Sequence, residues 1–220
     1  MRNLLILLFM VFASNSFSAQ NVEKRYRDMA LPTQKMMEYQ TVVNPIVAGT
    51  TQVLSANAGA TSAAAATVTS FVAQPDVPRN LVITPGGTTG DVESCSIVVT
   101  GKSFYNATIT ETFAFLADAS SATTGSKAFK TVTSVLFPAG CESGAYAASW
   151  SIGYGEKIGL SHCMDSDQLF KTTLNGTNEA TRATVAYDND EIEKNTLDFN
   201  GTMNGSNDFE AFYSQNFRCP

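Results

Sequence analysis

Charged residues and histidine are both scarce in this sequence. Asp, Glu, Lys and Arg make up 15% of its 220 residues, whereas roughly 25% is usual in a globular protein. His162 is the one histidine, which argues against a metal site built from several histidines of one chain. We therefore expect no cofactor, no metal ion and no catalytic site. The composition favours a binding or structural role over an enzymatic one.

Basic residues and long apolar runs are also lacking. The formal net charge is −6 and the pI is about 4.8, whereas nucleic-acid-binding domains carry a basic patch. The longest apolar run covers only residues 4–13, and a membrane-spanning helix needs about twenty such residues. The sequence therefore predicts neither a nucleic-acid partner nor a membrane span.

The first 19 residues have the features of an export signal. Arg2 gives a positively charged start, the apolar run follows, and small and polar residues lead to a cleavage site after Ser18 or Ala19. If residues 1–19 are removed, the mature protein is secreted or periplasmic. If they are retained, they form an apolar segment that can insert into a neighbouring subunit.

Residues 20–47 are predicted to form a separate N-terminal arm. Short helical turns are possible there, with a break at Pro32 and an end before Pro45. The arm either docks on a partner or covers the core of its own chain. The adaptable apolar side chains available for either contact are Met29, Leu31, Met36, Met37 and Tyr39.

Residues 48–220 are predicted to form the main domain, because apolar and polar residues alternate there in repeated short runs, as half-buried strands require. The predicted strands cover residues 79–84, 96–100, 107–115, 129–137, 149–154, 168–174, 181–187, 197–199 and 209–213. In the run 107–115 the threonines share one face and the apolar side chains share the other. The run 129–137 changes register, which indicates a bulge or a strand covered on both faces.

Turn signals support an antiparallel arrangement of these strands. Asn-Gly pairs are typical of two-residue type I′ turns, in which both central residues have positive φ. The sequence has three such pairs at 175–176, 200–201 and 204–205. We therefore expect an all-β fold, a β-sandwich or barrel-like domain of about nine to ten short antiparallel strands, with the N-terminal arm extended from it.

The four cysteines are predicted to form disulfides in an oxidising compartment and to stay free thiols in a bacterial cytosol. They are Cys95, Cys141, Cys163 and Cys219. No two of them have the C-x-x-C spacing of zinc and redox motifs. Three pairings are possible, and we favour Cys95 with Cys141 and Cys163 with Cys219.

Three groups of residues carry weak signals of chemistry. Glu111 is the carboxylate that alternation places on the apolar face of its strand, where it is either catalytic or, more often, paired at a sheet edge. His162 and Cys163 match a base and a nucleophile in composition only, since adjacent residues of a strand face opposite sides. Two acidic clusters favour solvated loops over a calcium site, because no EF-hand pattern completes them; they comprise Asp165, Asp167, Asp188, Asp190, Glu191 and Glu193.

Seven short stretches after residue 77 have a recognisable pattern of strand and turn residues. They include PRNLVITPGGTT (78–89), VVTG (98–101), ITETFAF (109–115), KAFKTVTSV (127–135) and IGYGEKIGL (152–160), with residues 193–201 and 215–219. Together these stretches resemble a β-rich family of structural proteins from the virions of tailed bacteriophages. The resemblance covers about residues 78–219 and contains no catalytic motif.

This resemblance implies a virion protein that decorates or cements the capsid, or another head-associated protein. It implies the virion as location and, as partners, the major capsid protein or other virion proteins, with homo-oligomers expected. The alternative is a secreted or cell-surface β-sandwich that binds glycans or cells. Its stacking side chains would be Tyr105, Trp150, Tyr154 and Tyr213, although the alternation around Trp150 favours a core position for that residue.

Overall fold

The computed structural model describes residues 36–57, 64–88, 90–143 and 148–215. Within these ranges the chain is all-β, as the alternation predicts. The strands are β1 (Met36–Val42), β2 (Leu54–Asn57), β3 (Ala66–Val68), β4 (Arg79–Gly86), β5 (Cys95–Lys102), β6 (Thr108–Phe115), β7 (Thr123–Phe129), β8 (Thr131–Phe137), β9 (Ser149–Gly159), β10 (Leu169–Leu174), β11 (Thr177–Asn178), β12 (Thr184–Ala186), β13 (Thr196–Asp198) and β14 (Phe209–Gln215).

The strands form three sheets. The strand order is β1-β14-β10-β11 in the first sheet, β12-β13-β9-β4-β7 in the second and β3-β8-β5-β6 in the third, and β2 also pairs with β9. The ladders within the third sheet, and those that join β9 to β2, β4 and β13, are antiparallel. The second and third sheets enclose one core, which confirms the predicted sandwich-like, antiparallel class.

Each predicted run overlaps a strand, and the structure adds β1, β2, β3, β7 and β11. The run 129–137 is divided at Lys130, since Phe129 ends β7 and Thr131 begins β8. Opposite β5, the register shifts between Thr100 and Gly101, so the bulge that was one of the two interpretations of this run is present. The helical turns allowed in the arm are wrong from residue 36 onward, because β1 lies beside β14 in a sheet.

The buried side chains form two cores that share β9, the longest strand. The N-terminal part of β9 contributes to the first core and its C-terminal end to the second. Trp150 packs in the first core, with its ring 4.9 Å from that of Phe115. The first core also includes Leu81, Ile83, Ile97, Val99, Phe113, Phe129, Val135 and Phe137, and the second includes Val42, Ile158, Leu160, Leu197, Phe209 and Tyr213.

A buried arginine lies next to β9. The side chain of Arg79 is fully buried, and its Nε donates a 2.9 Å hydrogen bond to the carbonyl oxygen of Gly155. Its Nη1 donates to the carbonyl oxygen of Ile46 at 2.7 Å and to Asp76 at 3.3 Å. Burial lowers the pKa of Arg79 from its usual value, and Asp76 acts in the opposite direction.

Two further contacts place this guanidinium against both cores. Its Cζ lies 4.7 Å from the ring centroid of Tyr154, which belongs to the first core. Its Nη2 lies 3.2 Å from the sulfur of Met203, which belongs to the second. A planar group with donors on several sides meets these demands, and the point charge of a lysine does not.

The Asn-Gly pairs differ in structure. Asn175 and Gly176 both have positive φ, at 51° and 75°, and join β10 to β11 as a two-residue turn. Gly205 also has a positive φ, whereas Asn204, Asn200 and Gly201 do not. The prediction of a type I′ turn is therefore confirmed at 175–176 and wrong at the other two pairs. The side chain of Asn204 instead accepts backbone hydrogen bonds from Ser206 and Asn207.

A disulfide joins Cys95 to Cys141, the first of the two favoured pairings, with the Cα atoms 5.2 Å apart. It connects the start of β5 to the segment that follows β8. Cys163 is buried, and its pairing with Cys219 stays a prediction because Cys219 lies outside the described residues.

Helix contributes little to this part of the chain. The one helix in the described ranges is a single 3-10 turn, Ile192–Lys194. No helix found there has the length and apolar character needed to cross a membrane. The predicted signal-like segment 1–19 and residues 20–35 of the predicted arm lie outside the described residues.

Replacing Arg79 tests its role at the two cores. We expect Arg79→Met to lower the free energy of unfolding by about 3 kcal/mol or more, because Asp76 and two backbone carbonyls lose their partner. Arg182, which is half-exposed and pairs with Asp167, is the matched control, and Arg182→Met should cost less than about 1 kcal/mol. Urea unfolding followed by the fluorescence of Trp150 measures both values. Equal losses in the two variants would contradict the assignment.

Candidate interaction surface

The outward face of the third sheet is built mainly from threonine and other small polar residues. Alternation turns every second side chain of β5, β6 and β8 into the first core, and the intervening ones point away from it. The strand pairing aligns Thr110 with Thr100 and Thr100 with Ser134, while Thr112 lies opposite Val98 and Val98 opposite Leu136. We call this surface the threonine face: Thr67, Val98, Thr100, Lys102, Thr108, Thr110, Thr112, Ala114, Ser134 and Leu136.

This face has almost no charge. Lys102 and Glu111 are the only charged residues in the four strands of the sheet, and Glu111 points inward. The ammonium group of Lys102 donates a 2.8 Å hydrogen bond to the hydroxyl of Thr108 at one end of the face. Near the other end, Leu136 is 41% exposed. Depletion of charged residues is one feature of the buried centre of protein–protein interfaces.

The inward carboxylate of Glu111 joins two sheet edges. β6 is an edge strand of the third sheet and β7 is an edge strand of the second. Oε1 of Glu111 accepts hydrogen bonds from the backbone N–H groups of Ser126 at 2.6 Å and of Lys127 at 3.3 Å. The carboxylate thus covers backbone donors of β7 that another chain would otherwise meet. Of the two interpretations of Glu111, the geometry fits the sheet-edge one.

A glycine in β7 makes room for this carboxylate. A Cβ atom at Gly125 would lie 2.5 Å from Oε2 of Glu111. That oxygen is buried and has no hydrogen-bond partner among the described residues. A larger residue at position 125 would therefore collide with the carboxylate.

The described part of the predicted docking arm belongs to a sheet of its own chain. In β1 the ring of Tyr39 packs 4.8 Å from that of Phe212, and its hydroxyl donates to Glu210 at 2.6 Å. Val42 is buried in the second core. Other side chains of β1 are available to a partner, since Met36, Met37 and Tyr39 are 54%, 60% and 50% exposed. Met29 and Leu31 lie outside the described residues, so a docking role of the arm stays a prediction.

A polar cluster surrounds the histidine. The hydroxyl of Ser161 lies 3.1 Å from Nδ1 of His162 and 3.0 Å from the hydroxyl of Tyr213. A carboxylate oxygen of Glu38 lies 3.6 Å from the same Nδ1. In a catalytic triad the hydroxyl and the carboxylate contact opposite nitrogens of the ring, and here both approach one. Burial raises the pKa of Tyr213 to about 12, so its hydroxyl stays protonated at neutral pH.

This cluster connects separate parts of the chain. Gln40 of β1 accepts a hydrogen bond from the backbone N–H of Ser161 at 3.0 Å and donates one to the carbonyl oxygen of Gly159 at 3.0 Å. The hydroxyl of Tyr105 donates to the carbonyl oxygen of Ser161 at 2.5 Å. These contacts hold β1 and the loop after β5 against the end of β9. Cys163, next to the histidine, is buried.

The acidic residues near residue 190 bind lysines. The ammonium group of Lys127 lies 2.5 Å from Glu191 and 3.0 Å from Glu193, and that of Lys194 lies 2.7 Å from Glu191 and 3.6 Å from Asp188. Hydrogen bonds from Lys127 and Lys194 lower the pKa of Glu191. Burial alone would lower the pKa of Lys127, but its bonds to Glu191 and Glu193 raise it.

Two further aspartates of the acidic clusters, Asp167 and Asp188, also have partners within the chain. Asp167 pairs with Arg182. Backbone N–H groups of residues 190 and 191 donate to Asp188 and lower its pKa. No group of three or more potential metal ligands was found in the part of the chain that the structure describes. The acidic loops therefore act as ion-pair and turn-forming segments in this structure.

Three of the four side chains considered for glycan stacking are buried. Trp150, Tyr154 and Tyr213 are at most 1% exposed, so the prediction that they form a stacking surface is wrong. The strand alternation around Trp150 indicated this core position, and it is confirmed. Tyr105 is half-exposed and is the one ring of the four that a glycan could reach.

The contacts that sequence reasoning missed depend on pairing between distant strands. Arg79 shares the strand parity of two buried residues, Leu81 and Ile83, and this parity was the one available signal of its burial. Nothing in the local sequence aligns Thr100, Thr110 and Ser134 across three strands. In comparisons with known proteins, no family model, curated protein sequence or solved structure matches the chain, so the resemblance to virion proteins stays a prediction.

Removing the Glu111 carboxylate tests its role at the sheet edges. Glu111→Ala should lower the free energy of unfolding by about 2–3 kcal/mol, because two backbone donors lose a charged acceptor. Glu111→Gln keeps one acceptor oxygen and should cost about half as much. Urea unfolding gives these values, with Glu93→Ala at an exposed position as control. A loss for Glu111→Ala no larger than for the control would refute the assignment.

The lowered pKa values of Asp188 and Glu191 predict a pH effect. Both carboxylates stabilise the folded protein at pH values above the unfolded carboxyl pKa of about 4, and this contribution disappears as the pH falls through their lower folded pKa values. The double variant Asp188→Asn/Glu191→Gln should lose less stability on acidification, by under about 1 kcal/mol because solvent screens both half-buried groups. Urea unfolding from pH 7 to about 3 measures this, and Asp190→Asn serves as control. If the free energy of unfolding of the double variant falls with decreasing pH as steeply as that of the wild type, the prediction is contradicted.

Proposed function

We propose that this chain is a structural, non-enzymatic protein of a tailed-bacteriophage virion. It decorates or cements the capsid or takes another head-associated position, and it acts through contact with the major capsid protein or another virion protein. The resemblance of residues 78–219 supports this role. The all-β fold is compatible with it, because a sheet presents a broad face held by the core behind it.

The observation that carries a contact role is the scarcity of charge on the threonine face. Lys102 is the one charged residue of that face, and it is bonded to Thr108. Moving a charged side chain out of water costs several kcal/mol unless it is paired, whereas a threonine hydroxyl needs a single hydrogen-bond partner. Short threonine side chains also lose less rotamer freedom on burial than lysine or glutamate. Such a face is therefore inexpensive to cover with a partner.

The rigidity of the face favours the same role. Its strands are backed by buried side chains, among them Ile97, Val99, Phe113 and Val135, and the disulfide holds the start of β5. A surface that is ordered before contact loses little conformational entropy when the partner binds. This property suits a protein that adds to an already assembled particle.

Co-expression with the major capsid protein of the same genome tests the proposal. The wild-type chain should co-sediment with assembled shells on a density gradient. Thr100→Lys, which puts an unpaired charge in the middle of the threonine face, should reduce the bound amount by more than about tenfold. Thr184→Lys, at an exposed position of β12 in the second sheet, should bind as the wild type does.

Two results would overturn the proposal. The first is a wild-type chain that never sediments with the shells or with other virion components. The second is an equal loss of binding in Thr100→Lys and Thr184→Lys, since the threonine face would then have no special role. Urea unfolding of both variants serves as the control for folding, because a variant that is as stable as the wild type and binds less has lost the contact and not the fold.

A further inference from the structure

We propose that β6 is a self-association edge, at which β6 of a second copy of this chain adds antiparallel to the third sheet. The proposal goes beyond the function above, because it concerns the edge of the sheet and a copy of the same chain, not the face and another virion protein. It predicts a twofold-symmetric pair whose third sheets join into one continuous eight-stranded sheet.

The first observation is that β6 is hydrogen-bonded to a neighbouring strand on one side only. β6 pairs with β5 through all eight of its residues, without a register shift. In the ranges that the structure describes, no backbone hydrogen bond joins β6 to any other strand. An edge of this length presents a row of unpaired N–H and C=O groups, which is a template for another strand.

The second observation is that β6 has few of the features that protect an edge strand. It contains no proline, lysine or bulge. Its one charged residue, Glu111, points into the sandwich and bonds to the backbone of β7, and this inward charge is the one protective feature of the strand. The other edge of the same sheet is β3, which has only three residues.

The third observation is that the strand complements itself. Opposing residues of antiparallel strands lie on one face of a sheet, so outward residues must meet outward residues. A twofold axis at Thr112 satisfies this condition and sets Thr110 opposite Ala114 of the second copy. It also sets Glu111 opposite Phe113, which avoids two carboxylates facing each other. An axis at Glu111 would bring the two carboxylates together.

The same register explains an unusually exposed side chain. Leu116 directly follows β6 and is 78% exposed, the largest value among the exposed large hydrophobic residues. With the axis at Thr112, Leu116 lies opposite Thr108 of the second copy, at the far end of the paired strands. Pairing therefore covers apolar surface at both ends of the interface, in addition to the backbone groups between them.

Lysine substitutions on neighbouring strands separate edge pairing from contacts of the face. Thr112→Lys places two ammonium groups opposite each other on the axis and should weaken dimerisation more than about tenfold. Thr100→Lys adds the same charge one strand away and should dimerise as the wild type does. Sedimentation velocity over a concentration series gives the dissociation constants, and urea unfolding confirms that both variants fold.

A covalent test fixes the register. Thr112→Cys brings two thiols together at the axis, where oxidation should give a disulfide-linked dimer on non-reducing denaturing gels. Thr100→Cys should pair in solution as the wild type does but form no cross-link, so it should run as a monomer on the same gel. A wild-type chain that is monomeric at every concentration would overturn the proposal, as would equal cross-linking of both cysteine variants. Because Thr100→Lys is expected to lose shell binding and keep the dimer, failure of this inference is distinguishable from failure of the proposed function.

Discussion

The fold depends on the placement of one guanidinium group between two cores. β9 gives side chains to both, and Arg79 lies beside it with no exposed surface. The group bonds to Gly155, Ile46 and Asp76 and contacts an aromatic ring of one core and a sulfur atom of the other. A buried cation with these partners fixes how the strands around β9 meet, because each partner becomes an unpaired polar group if the arginine moves. Apolar packing alone is less directional.

The low content of charged residues in the sequence is concentrated on one surface of the structure, the threonine face, which has almost no charge. The lysines and acids that are present form local groups, such as Lys127 and Lys194 with Glu191. The third sheet receives almost none of them, and the carboxylate that it does carry is directed into the sandwich. The uneven distribution, more than the low total, sets the threonine face apart from the rest of the described surface.

Alternation predicts the strands that have one face in a core and the other outside, which is why β4, β5, β6 and β9 are found in the sequence. It misses β7, where Gly125 leaves space for a carboxylate from another sheet, and β2 and β3, which are short and rich in small residues. Local turn chemistry is a weaker guide. One Asn-Gly pair forms the expected turn. At Asn204 the side chain accepts hydrogen bonds from the backbone of Ser206 and Asn207, and a different turn forms there.

The predictions for individual residues were correct where they followed strand alternation and wrong where they followed residue type. Strand alternation favoured a core position for Trp150, and Tyr154 has the same parity in β9. Tyr154 and Tyr213 were nevertheless considered for a surface because of their residue type, and both lie in the cores. The threonine face could be inferred for β6 by itself. Its width depends on the registers between strands that are far apart in sequence, and a single sequence without aligned partners does not contain them.

The disulfide between Cys95 and Cys141 has a mechanical consequence. The residues between its two cysteines, 46 positions apart, include nearly all of β5 and the whole of β6, β7 and β8. If the chain is pulled from its two ends, this segment cannot add to the extended length while the bond is intact. At about 3.4 Å per residue, roughly 150 Å of chain is withheld from stretching. Tension can thus strip β3 from the third sheet, but it cannot draw out the loop that contains the other three strands, and most of the threonine face stays on a closed covalent ring.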